Sequence, residues 1–338
     1  MKRHALITGI CGFIGSNLAR KLISEGWRVD GVDNLSSGRL ENLSDLRTRV
    51  LPTGEFLQHF EDVENEKRSD DTVLVVEDTF SHHAILNRIN KGKYDVVFHQ
   101  AAIPRVLYSV ENPSETTSVN ISETIKLFEA CTDNVKRVVW ASSSSIYGGA
   151  KILPTSENSQ KDPKSPYAWQ KSAIEDAATL FASLYGLDII CLRYFNAFGP
   201  SQYGDSAYST AVSAWCNAIK NNLPMRSDGD GTQSRDLCYI DNIVHANILA
   251  ANSDKLFKGD KYNVACGDRT SNNEILDFLK GKFPTAVVRN APWRAGDVMH
   301  TQADISKIKE DLGYEPLVRF WDGLERTIAW WELEDDNL

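Results

Sequence analysis

From the N-terminus to about residue 200, short apolar runs alternate with longer stretches in which apolar residues recur every three or four positions. The short runs are typical of buried strands, and the longer period is typical of amphipathic helices. Strands that alternate with helices indicate an α/β fold with a doubly wound parallel sheet of the Rossmann type. The pattern predicts strands at His4–Thr8, Arg28–Asp33, Val73–Val76, Asp95–Phe98, Arg137–Ala141 and Asp188–Tyr194, and helices at Phe13–Glu25, His82–Asn90, Pro113–Ala130 and Pro166–Tyr185.

Two stretches depart from this alternation. Residues 46–71 are polar and acidic with weak periodicity, and we expect a solvated surface insertion there rather than an arm that binds a partner. After Phe198, glycine, proline and asparagine become more frequent and the strict alternation stops. We therefore predict a first domain at residues 1–195 that carries the sheet. A smaller C-terminal substrate-binding lobe at residues 196–338 would cover it and can interleave with it.

The composition, 42% hydrophobic and 25% charged, is that of an ordinary globular protein, and no apolar run approaches the roughly 20 residues that a membrane helix needs. The 37 lysines and arginines against 46 acidic residues give a net charge of −9, which disfavours nucleic-acid and membrane partners. The six cysteines form no C-x-x-C pair, and the seven histidines show no metal-ligand spacing. We therefore expect buried thiols in a reducing, cytoplasmic compartment and no metal site.

A glycine-rich turn lies between the first predicted strand and the first predicted helix. Gly9, Gly12 and Gly15 allow a tight turn that brings the helix N-terminus against an anion such as a pyrophosphate. Asp33 ends the second strand, 18 residues after Gly15, close to the ~20 expected for a carboxylate that accepts hydrogen bonds from an adenosine ribose. Because a carboxylate repels a 2′-phosphate, the sequence predicts NAD rather than NADP. The alternative is a Rossmann-like fold without a dinucleotide.

Further candidates follow the next two predicted strands. Asp78 ends the third strand, where its side chain can either reach an adenine edge or close a turn. Gln100, Ala101 and Ala102 follow the fourth strand, and their small size permits the close approach of a ligand at the carboxyl edge of the sheet.

Candidate acid/base chemistry lies at the start of the last predicted helix. Tyr167 and Lys171 are four residues apart, which places both side chains on one helix face. An ammonium group beside a phenol lowers the phenol's pKa, and such a tyrosine can move a proton to or from an alcohol while a hydride moves to a nicotinamide. The serines at 142–145 follow the fifth strand, where a hydroxyl either relays the substrate's proton or belongs to a polar turn.

Taken together, these motifs resemble the extended short-chain dehydrogenase/reductase family. The resemblance extends over residues 2 to about 330 except for the acidic insertion, and the chain is most similar to UDP-sugar 4-epimerases, especially bacterial UDP-N-acetylglucosamine 4-epimerases. The motifs are T-G-x-x-G-F-I-G, D-N-L-S-S-G, H-Q-A-A, S-S-S-S-I-Y-G, Y-x-x-x-K, L-R-Y-F-N, F-G-P-S-Q, G-D-G-T-Q-S-R-D-L-C-Y-I-D-N and R-A-G-D-V-M-H-T-Q-A-D.

The resemblance implies roles for particular residues on the cofactor side. Tyr167 would be the general acid/base, Lys171 would tune it and hold the nicotinamide ribose, and Ser143 would relay the proton. Tyr194 and Phe195 would flank the nicotinamide. The implied NAD-binding residues are Gly9, Gly12, Phe13, Ile14, Gly15, Asp33, Asn34, Ser36, Ser37, Gly38, Asp78, Thr79, Gln100, Ala101, Ala102, Asn120, Tyr167, Lys171 and Tyr194.

The resemblance also implies how a UDP-sugar is held. Thr301 would form one wall of the sugar pocket, where a small residue admits an N-acetyl group, so we expect UDP-N-acetylglucosamine and UDP-N-acetylgalactosamine to be interconverted in preference to UDP-glucose and UDP-galactose. A homodimer through the helices at 113–130 and 166–185 is implied as well. The other implied substrate residues are Ser142, Ser143 and Ser145 beside the sugar, Asn196, Arg235, Arg294 and Asp297 at the diphosphate and uridine ribose, and Ala207 and Tyr208 where the backbone meets the nucleotide.

Three departures from the family pattern concern binding rather than the reaction. Glu123 stands where many relatives carry glycine, residues 103–109 lack the usual S-V-P-R wording, and Asp228 replaces an aromatic residue beside the uracil. Ser144 and Ser145 provide no carboxylate, which argues against a 4,6-dehydratase or a UDP-glucuronate decarboxylase. A UDP-glucuronate 4-epimerase and a non-catalytic NAD-binding relative remain as alternatives.

Overall fold

In the computed structural model, which describes residues 2–52, 54, 69, 71–149, 151–204, 210–293 and 298–333, the central element is an eight-stranded sheet. Every neighbouring pair of strands in it runs parallel, in the order β12-β7-β6-β5-β1-β2-β4-β3. Its strands are β1 (His4–Thr8), β2 (Arg28–Asp33), β3 (Thr48–Pro52), β4 (Val73–Glu77), β5 (Val96–His99), β6 (Arg137–Ser143), β7 (Ile189–Tyr194) and β12 (Asp260–Val264). The predicted doubly wound parallel sheet is confirmed.

Three two-stranded sheets and the helices complete the described fold. The small sheets pair β8 (Ala197–Phe198) with β11 (Cys238–Tyr239), β9 (Met225–Asp228) with β14 (Val288–Ala291), and β10 (Ser234–Arg235) with β13 (Thr270–Ser271). The α-helices are α1 (Phe13–Ser24), α2 (His83–Asn90), α3 (Val106–Glu111), α4 (Pro113–Thr117), α5 (Thr124–Cys131), α6 (Pro166–Tyr185), α7 (Ala211–Lys220), α8 (Ile240–Asn252), α9 (Asn272–Lys282), α10 (Ser306–Leu312) and α11 (Phe320–Leu333). A π-helix at Ser118–Glu123 joins α4 to α5.

The two faces of the sheet bury different residues against different helices. Because successive side chains of a strand point to opposite faces, Ala5 and Ile7 of β1 pack in one core cluster with α1 and α8, whereas Leu6 packs in another with α2, α5 and α6. This two-layer covering explains why the strands read as continuous apolar runs. All six cysteines are buried and free, as expected. No helix in the described ranges is both long and apolar enough to cross a membrane.

All six predicted strands are present, but two further strands of the sheet, β3 and β12, were not predicted. β3 lies inside residues 46–71, so the segment predicted as a solvated surface insertion begins with an edge strand of the main sheet. Only Leu51 of this edge strand is buried, which removes the apolar run that would have revealed it. Residues 55–68 and 70 of that segment lie outside the described residues. β12 belongs to the C-terminal half, yet it pairs with β7 along five residues.

Candidate active site

The glycine-rich turn leaves the N-terminus of α1 open toward a cavity. Gly9 has φ +72°, and a Cβ there would lie 3.0 Å from the Ala101 backbone, while a Cβ on Gly15 would lie 2.1 Å from the Gly9 carbonyl oxygen. Gly12 precedes the helix without a side-chain cap, and the first turn of α1 holds no acidic residue. The unpaired N–H groups and the positive end of the helix dipole are therefore available to an anion.

Asp33 is fixed at the end of β2 by the main chain. Its carboxylate accepts hydrogen bonds from the backbone N–H groups of Cys11 and Leu35, both at 2.9 Å. Burial raises the pKa of Asp33, and the two backbone donors oppose that shift. A Cβ on Gly38 would lie 2.8 Å from the same carboxylate, so the loop after β2 closes tightly around it.

One cavity of about 600 Å³ collects most of the predicted cofactor residues. This volume is ordinary for a small-molecule site. An open helix N-terminus suits a diphosphate, and the Asp33 carboxylate suits a ribose hydroxyl, so the residues present fit NAD. Of the predicted residues, those that line the cavity are Gly9, Gly12, Phe13, Ile14, Gly15, Asp33, Asn34, Ser36, Ser37, Gly38, Asp78, Thr79, Gln100, Ala101 and Ala102.

Asn120 and Tyr194 were predicted to contact the cofactor, but both have protein partners. Asn120 accepts from the N–H of Ile103 at 2.8 Å, and its Nδ2 donates to the Ile103 carbonyl at 3.1 Å and to Gln170 at 2.8 Å. It therefore holds the loop after β5 in place. The Tyr194 hydroxyl donates to Gln100 at 3.0 Å, so Tyr194 positions a side chain that lines the cavity.

Tyr167 and Lys171 project from the first turns of α6, which begins as its sequence indicates. Ser165 caps the helix by accepting the N–H of Ala168 at 3.2 Å, and Pro166 occupies the first turn. Burial raises the pKa of Tyr167 to about 12, while a hydrogen bond with Ser143 opposes that shift. The structure thus brings the predicted serine and tyrosine together at the carboxyl end of β6.

Lys171 contacts a main-chain oxygen. Its Nζ donates to the Ala141 carbonyl at 2.6 Å and lies 5.8 Å from the centroid of the Tyr167 ring. Burial lowers the pKa of Lys171 to about 7, and the negative charge of Glu175 opposes that shift. Burial raises the Tyr167 pKa and the ammonium points at a main-chain oxygen, so the lowering of that pKa by Lys171 stays a prediction.

The serines at 142–145 make different contacts in the structure. Ser142 lies on the α6 side of β6 and donates to Glu175 at 2.7 Å, so its predicted place beside a sugar is wrong. The alternation of the strand turns Ser143 the other way. Ser145 donates its backbone N–H to the Ser143 hydroxyl at 3.2 Å. Its own buried hydroxyl has no hydrogen-bond partner among the described residues, which is a position that a ligand oxygen can satisfy.

A buried charged network beneath these residues was missed from the sequence. Glu175 and Arg193 form two hydrogen bonds of 2.7 Å, and Arg193 also donates to the Tyr147 hydroxyl at 2.7 Å. Tyr147 in turn donates to Asn263 of β12 at 2.7 Å. Two features of the sequence could have revealed this network. Lys171 and Glu175 are four residues apart on α6, and Arg193 lies inside a buried strand.

Three other predicted substrate residues, Asn196, Arg235 and Thr301, lie in the C-terminal half. Asn196 donates from Nδ2 to the Thr301 hydroxyl at 3.1 Å and to the Asp236 carbonyl at 2.9 Å. Arg235 donates to the carbonyls of Ser234 at 3.0 Å and Met299 at 3.2 Å. The last predicted substrate residues, Ala207, Tyr208, Arg294 and Asp297, lie outside the described residues.

Asp236 is a second residue that the sequence reasoning missed. Its buried carboxylate accepts the N–H groups of Cys266, Gly267 and Ala303, each at 3.0 Å. Burial raises the pKa of Asp236 to about 7, and the three backbone donors oppose that shift. The carboxylate therefore ties together three chain segments that surround Thr301, whose hydroxyl also accepts the Asp236 N–H at 3.2 Å.

Comparisons with known proteins match almost the whole chain. The pattern of the NAD dependent epimerase/dehydratase family matches residues 5–265. A UDP-glucuronate 4-epimerase of Thermodesulfobacterium geofontis is 34% identical over 332 residues, covering 97% of this chain and 95% of that protein. A UDP-glucose 4-epimerase of Mycolicibacterium smegmatis is 32% identical over 332 residues, covering 96% of this chain and 97% of that protein.

A solved structure agrees with these sequence matches. A UDP-N-acetylglucosamine 4-epimerase from Methanobrevibacter ruminantium, in complex with UDP-N-acetylmuramic acid, has a TM-score of 0.85 at 32% identity. The match covers 99% of this chain and 100% of that one. The three relatives are named for three different UDP-sugars at similar identity, so likeness alone does not select a sugar.

Proposed function

The chain belongs to the NAD dependent epimerase/dehydratase family, and within it we propose that the protein is an NAD-dependent UDP-sugar 4-epimerase. The observation that carries this proposal is the contact between Ser143 and Tyr167 at the carboxyl end of β6. β6 pairs with β5, which leads into the cavity residues Gln100 and Ala101, so the acid/base pair lies at the same sheet edge as the cofactor cavity. The turn that follows Ser143 offers serines and no carboxylate, which suits epimerisation rather than dehydration.

Bound NAD⁺ would supply the acceptor for the C4 hydride and a positive charge that favours the Tyr167 phenolate. Tyr167 takes the proton of the sugar C4 hydroxyl and later returns it, while Ser143 holds the same oxygen by a hydrogen bond. Lys171 would contribute a cation when the phenolate forms, because a negative charge nearby raises the pKa of a buried ammonium. Because the proton and the hydride both return to the sugar, no external redox partner is consumed.

Inversion at C4 requires the nucleotide to be held firmly and the sugar loosely. We assign the nucleotide to residues 196–338, where Asn196 and Arg235 lie beside Thr301. A guanidinium binds phosphate oxygens as a fork, which suits Arg235 to the diphosphate. The 4-keto sugar can then turn about its diphosphate linkage and present its other face. Binding energy that comes from the nucleotide leaves the reacting ring free to move.

For the sugar itself, we propose UDP-N-acetylglucosamine and UDP-N-acetylgalactosamine. Thr301 is small, and its hydroxyl is held in one orientation by Asn196 and the Asp236 N–H, which supports its proposed place in the pocket wall. The structural relative from Methanobrevibacter ruminantium is a UDP-N-acetylglucosamine 4-epimerase. UDP-glucuronate is the second candidate, because the Thermodesulfobacterium geofontis relative at 34% identity is a UDP-glucuronate 4-epimerase.

Parallel turnover assays on UDP-glucose, UDP-N-acetylglucosamine and UDP-glucuronate test this proposal. We expect the highest kcat/KM for the N-acetylated sugar and no release of NADH at any stage. Fastest turnover of UDP-glucuronate would replace the sugar assignment by the second candidate. Bound NAD without turnover of any UDP-hexose would instead indicate a non-catalytic relative.

We also propose a homodimer in the cytoplasm. Leu180, Leu184 and Tyr185 on α6 are 54%, 63% and 57% exposed, and they extend along a helix next to α5. Apolar side chains at this spacing form a face that a second copy of the same helices can cover. Light scattering after size exclusion should give twice the monomer mass, and Leu184→Asp should give the monomer mass. The buried free thiols support a reducing compartment.

A further inference from the structure

Glu123 lies where the cofactor cavity meets the π-helix. It ends the π-helical segment Ser118–Glu123 and lines the cavity together with Val119, one turn earlier. A π-helical turn inside an otherwise α-helical run is rare and often marks a functional position. The π-helix therefore brings a carboxylate to the wall of the cavity.

One oxygen of the Glu123 carboxylate is held and the other is available. Oε2 accepts a hydrogen bond from the Thr79 hydroxyl at 2.8 Å. Among the residues that the structure describes, Oε1 accepts none, and Glu123 is only partly buried. Thr79 thus orients the carboxylate at the cavity wall, and its second oxygen has its full capacity to accept a hydrogen bond.

The position of this carboxylate along the cavity follows from the strand register. Asp33 of β2 pairs with Glu77 of β4, so Asp78 and Thr79 follow directly beside the ribose-binding carboxylate. The base of a bound dinucleotide extends beyond its ribose and therefore reaches the residues that follow β4. Glu123 contacts Thr79, which places it at the base end of the cavity, away from the glycine turn.

Asp78, the other acidic residue at this end, is already engaged. Its Oδ1 accepts the N–H of Thr79 at 2.6 Å, and its Oδ2 lies 3.6 Å from Nδ1 of His82. These contacts close the turn after β4. The Oε1 of Glu123 therefore adds a second acceptor at this end of the cavity, beside the Asp78 carboxylate.

We infer that Glu123 accepts a hydrogen bond from the exocyclic amine of the adenine and so selects an adenine dinucleotide over its deaminated, hypoxanthine analogue. A carboxylate is an acceptor only, the adenine amine is a donor, and hypoxanthine presents a carbonyl oxygen at the same place. This inference rests on the proposed use of NAD. It assigns to Glu123 a role in cofactor specificity.

Calorimetric titration of the full chain, freed of bound nucleotide, with NAD⁺ and with nicotinamide hypoxanthine dinucleotide tests the inference. For the unsubstituted protein we expect Kd to be lower for NAD⁺ by about tenfold, the size of one hydrogen bond to a charged group. Glu123→Ala should reduce this ratio to about twofold or less, mainly through weaker NAD⁺ binding. Glu123→Gln should favour the hypoxanthine analogue further than alanine does, because the amide can donate to the carbonyl oxygen.

Glu129→Gln is the matched control, because Glu129 is an exposed carboxylate on the following helix and does not line the cavity. Its Kd ratio should equal that of the unsubstituted protein. An unchanged ratio in Glu123→Ala, with NAD⁺ still bound and the thermal unfolding midpoint unchanged, would overturn the inference and leave the proposed function intact. Failure of the unsubstituted protein to bind NAD⁺ would overturn both this inference and the proposed function.

Discussion

The cofactor cavity and the substrate lobe are held in shape by different means. At the cavity, glycines 9, 12 and 15 lie within one turn, and their missing side chains allow main chain to pack on main chain. In the lobe, the carboxylate of Asp236 accepts three backbone N–H groups from two segments that are far from it in sequence, at residues 266–267 and 303. The first region is therefore set by local sterics and the second by long-range hydrogen bonds.

This difference predicts how the two regions respond to change. The glycine turn of the cavity does not use the hydrogen bonds of Asp236, so its geometry should survive their loss. A lobe tied by one buried carboxylate loses its shape when that group changes, since each unsatisfied buried donor costs about 1–3 kcal/mol. Substitutions in the lobe should weaken substrate binding while the cofactor stays bound.

Tyr167→Phe should have the largest effect, because Tyr167 serves the reaction rather than either binding region. We expect kcat to fall by about a thousandfold with NAD and UDP-sugar affinities unchanged, since only the proton-transferring oxygen is lost. Steady-state kinetics and calorimetric titration of both ligands measure this. Tyr185→Phe, on the exposed end of the same helix, is the control and should retain full activity. Substantial activity in Tyr167→Phe would mean that another group carries the proton.

Lys171→Met should have the next largest effect, a loss of about tenfold to a hundredfold in kcat. If the ammonium stabilises the phenolate as proposed, its removal should raise the pKa of Tyr167 and move the ascending limb of the pH–rate profile to higher pH. Lys164→Met removes an exposed cation near the start of the same helix and should leave the limb in place. If the ascending limb of the pH–rate profile lies at the same pH in Lys171→Met and Lys164→Met, Lys171 takes no part in the acid/base chemistry.

Asp236→Asn tests the separation of the two regions directly. At pH 8 the asparagine replaces one of the two accepting oxygens by an NH2 group, which faces backbone N–H donors and cannot accept from them, so we expect the unfolding free energy to fall by about 2 kcal/mol and KM for the UDP-sugar to rise about tenfold. The NAD affinity should not change. Asp268→Asn, at an exposed carboxylate nearby, is the control. An equal loss of NAD affinity would show that the two regions are not independent.

The same residue gives a pH dependence of stability. Burial raises the pKa of Asp236 to about 7, so the folded protein keeps this proton at pH values where an unfolded chain, with a carboxyl pKa of about 4, has released it. Its contribution to the unfolding free energy is therefore complete below about pH 4 and decreases as the pH rises toward 7. Denaturant unfolding at several pH values should show this slope in the unsubstituted protein and a smaller slope in Asp236→Asn.

Thr301→Tyr should have the smallest and most selective effect. The larger side chain fills the space that an acetamido group needs, so we expect kcat/KM for the N-acetylated sugars to fall about tenfold and that for plain hexoses to fall less. Competition assays with mixed substrates measure the ratio. Thr301→Ser, which keeps the hydroxyl bound to Asn196, should leave the ratio nearly unchanged. Equal losses on both sugar types in Thr301→Tyr would show that Thr301 does not form the pocket wall.

The sequence predicts the cofactor region better than the substrate lobe, because the glycine turn is a local sequence pattern and the hydrogen bonds of the lobe join distant residues. β1 and β2 begin and end at the predicted residues, because an apolar run and a glycine turn are local signals. The predicted place of Ser142 beside the sugar is wrong, since Glu175 on α6 determines where it points. Asp236 gives no local signal, because its three partners lie 30 to 67 residues away.

The position of β12 has a consequence for the order in which the protein can fold during synthesis. β12 covers β7 along Asp260–Val264, and Asn263 completes the hydrogen bonds of Tyr147 above the Glu175–Arg193 pair. A nascent chain that has emerged only to residue 195 exposes β7 as an unpaired edge with a charged pair beneath it. Such an edge invites pairing with other chains. A truncation at this point should therefore aggregate rather than yield an isolated cofactor domain.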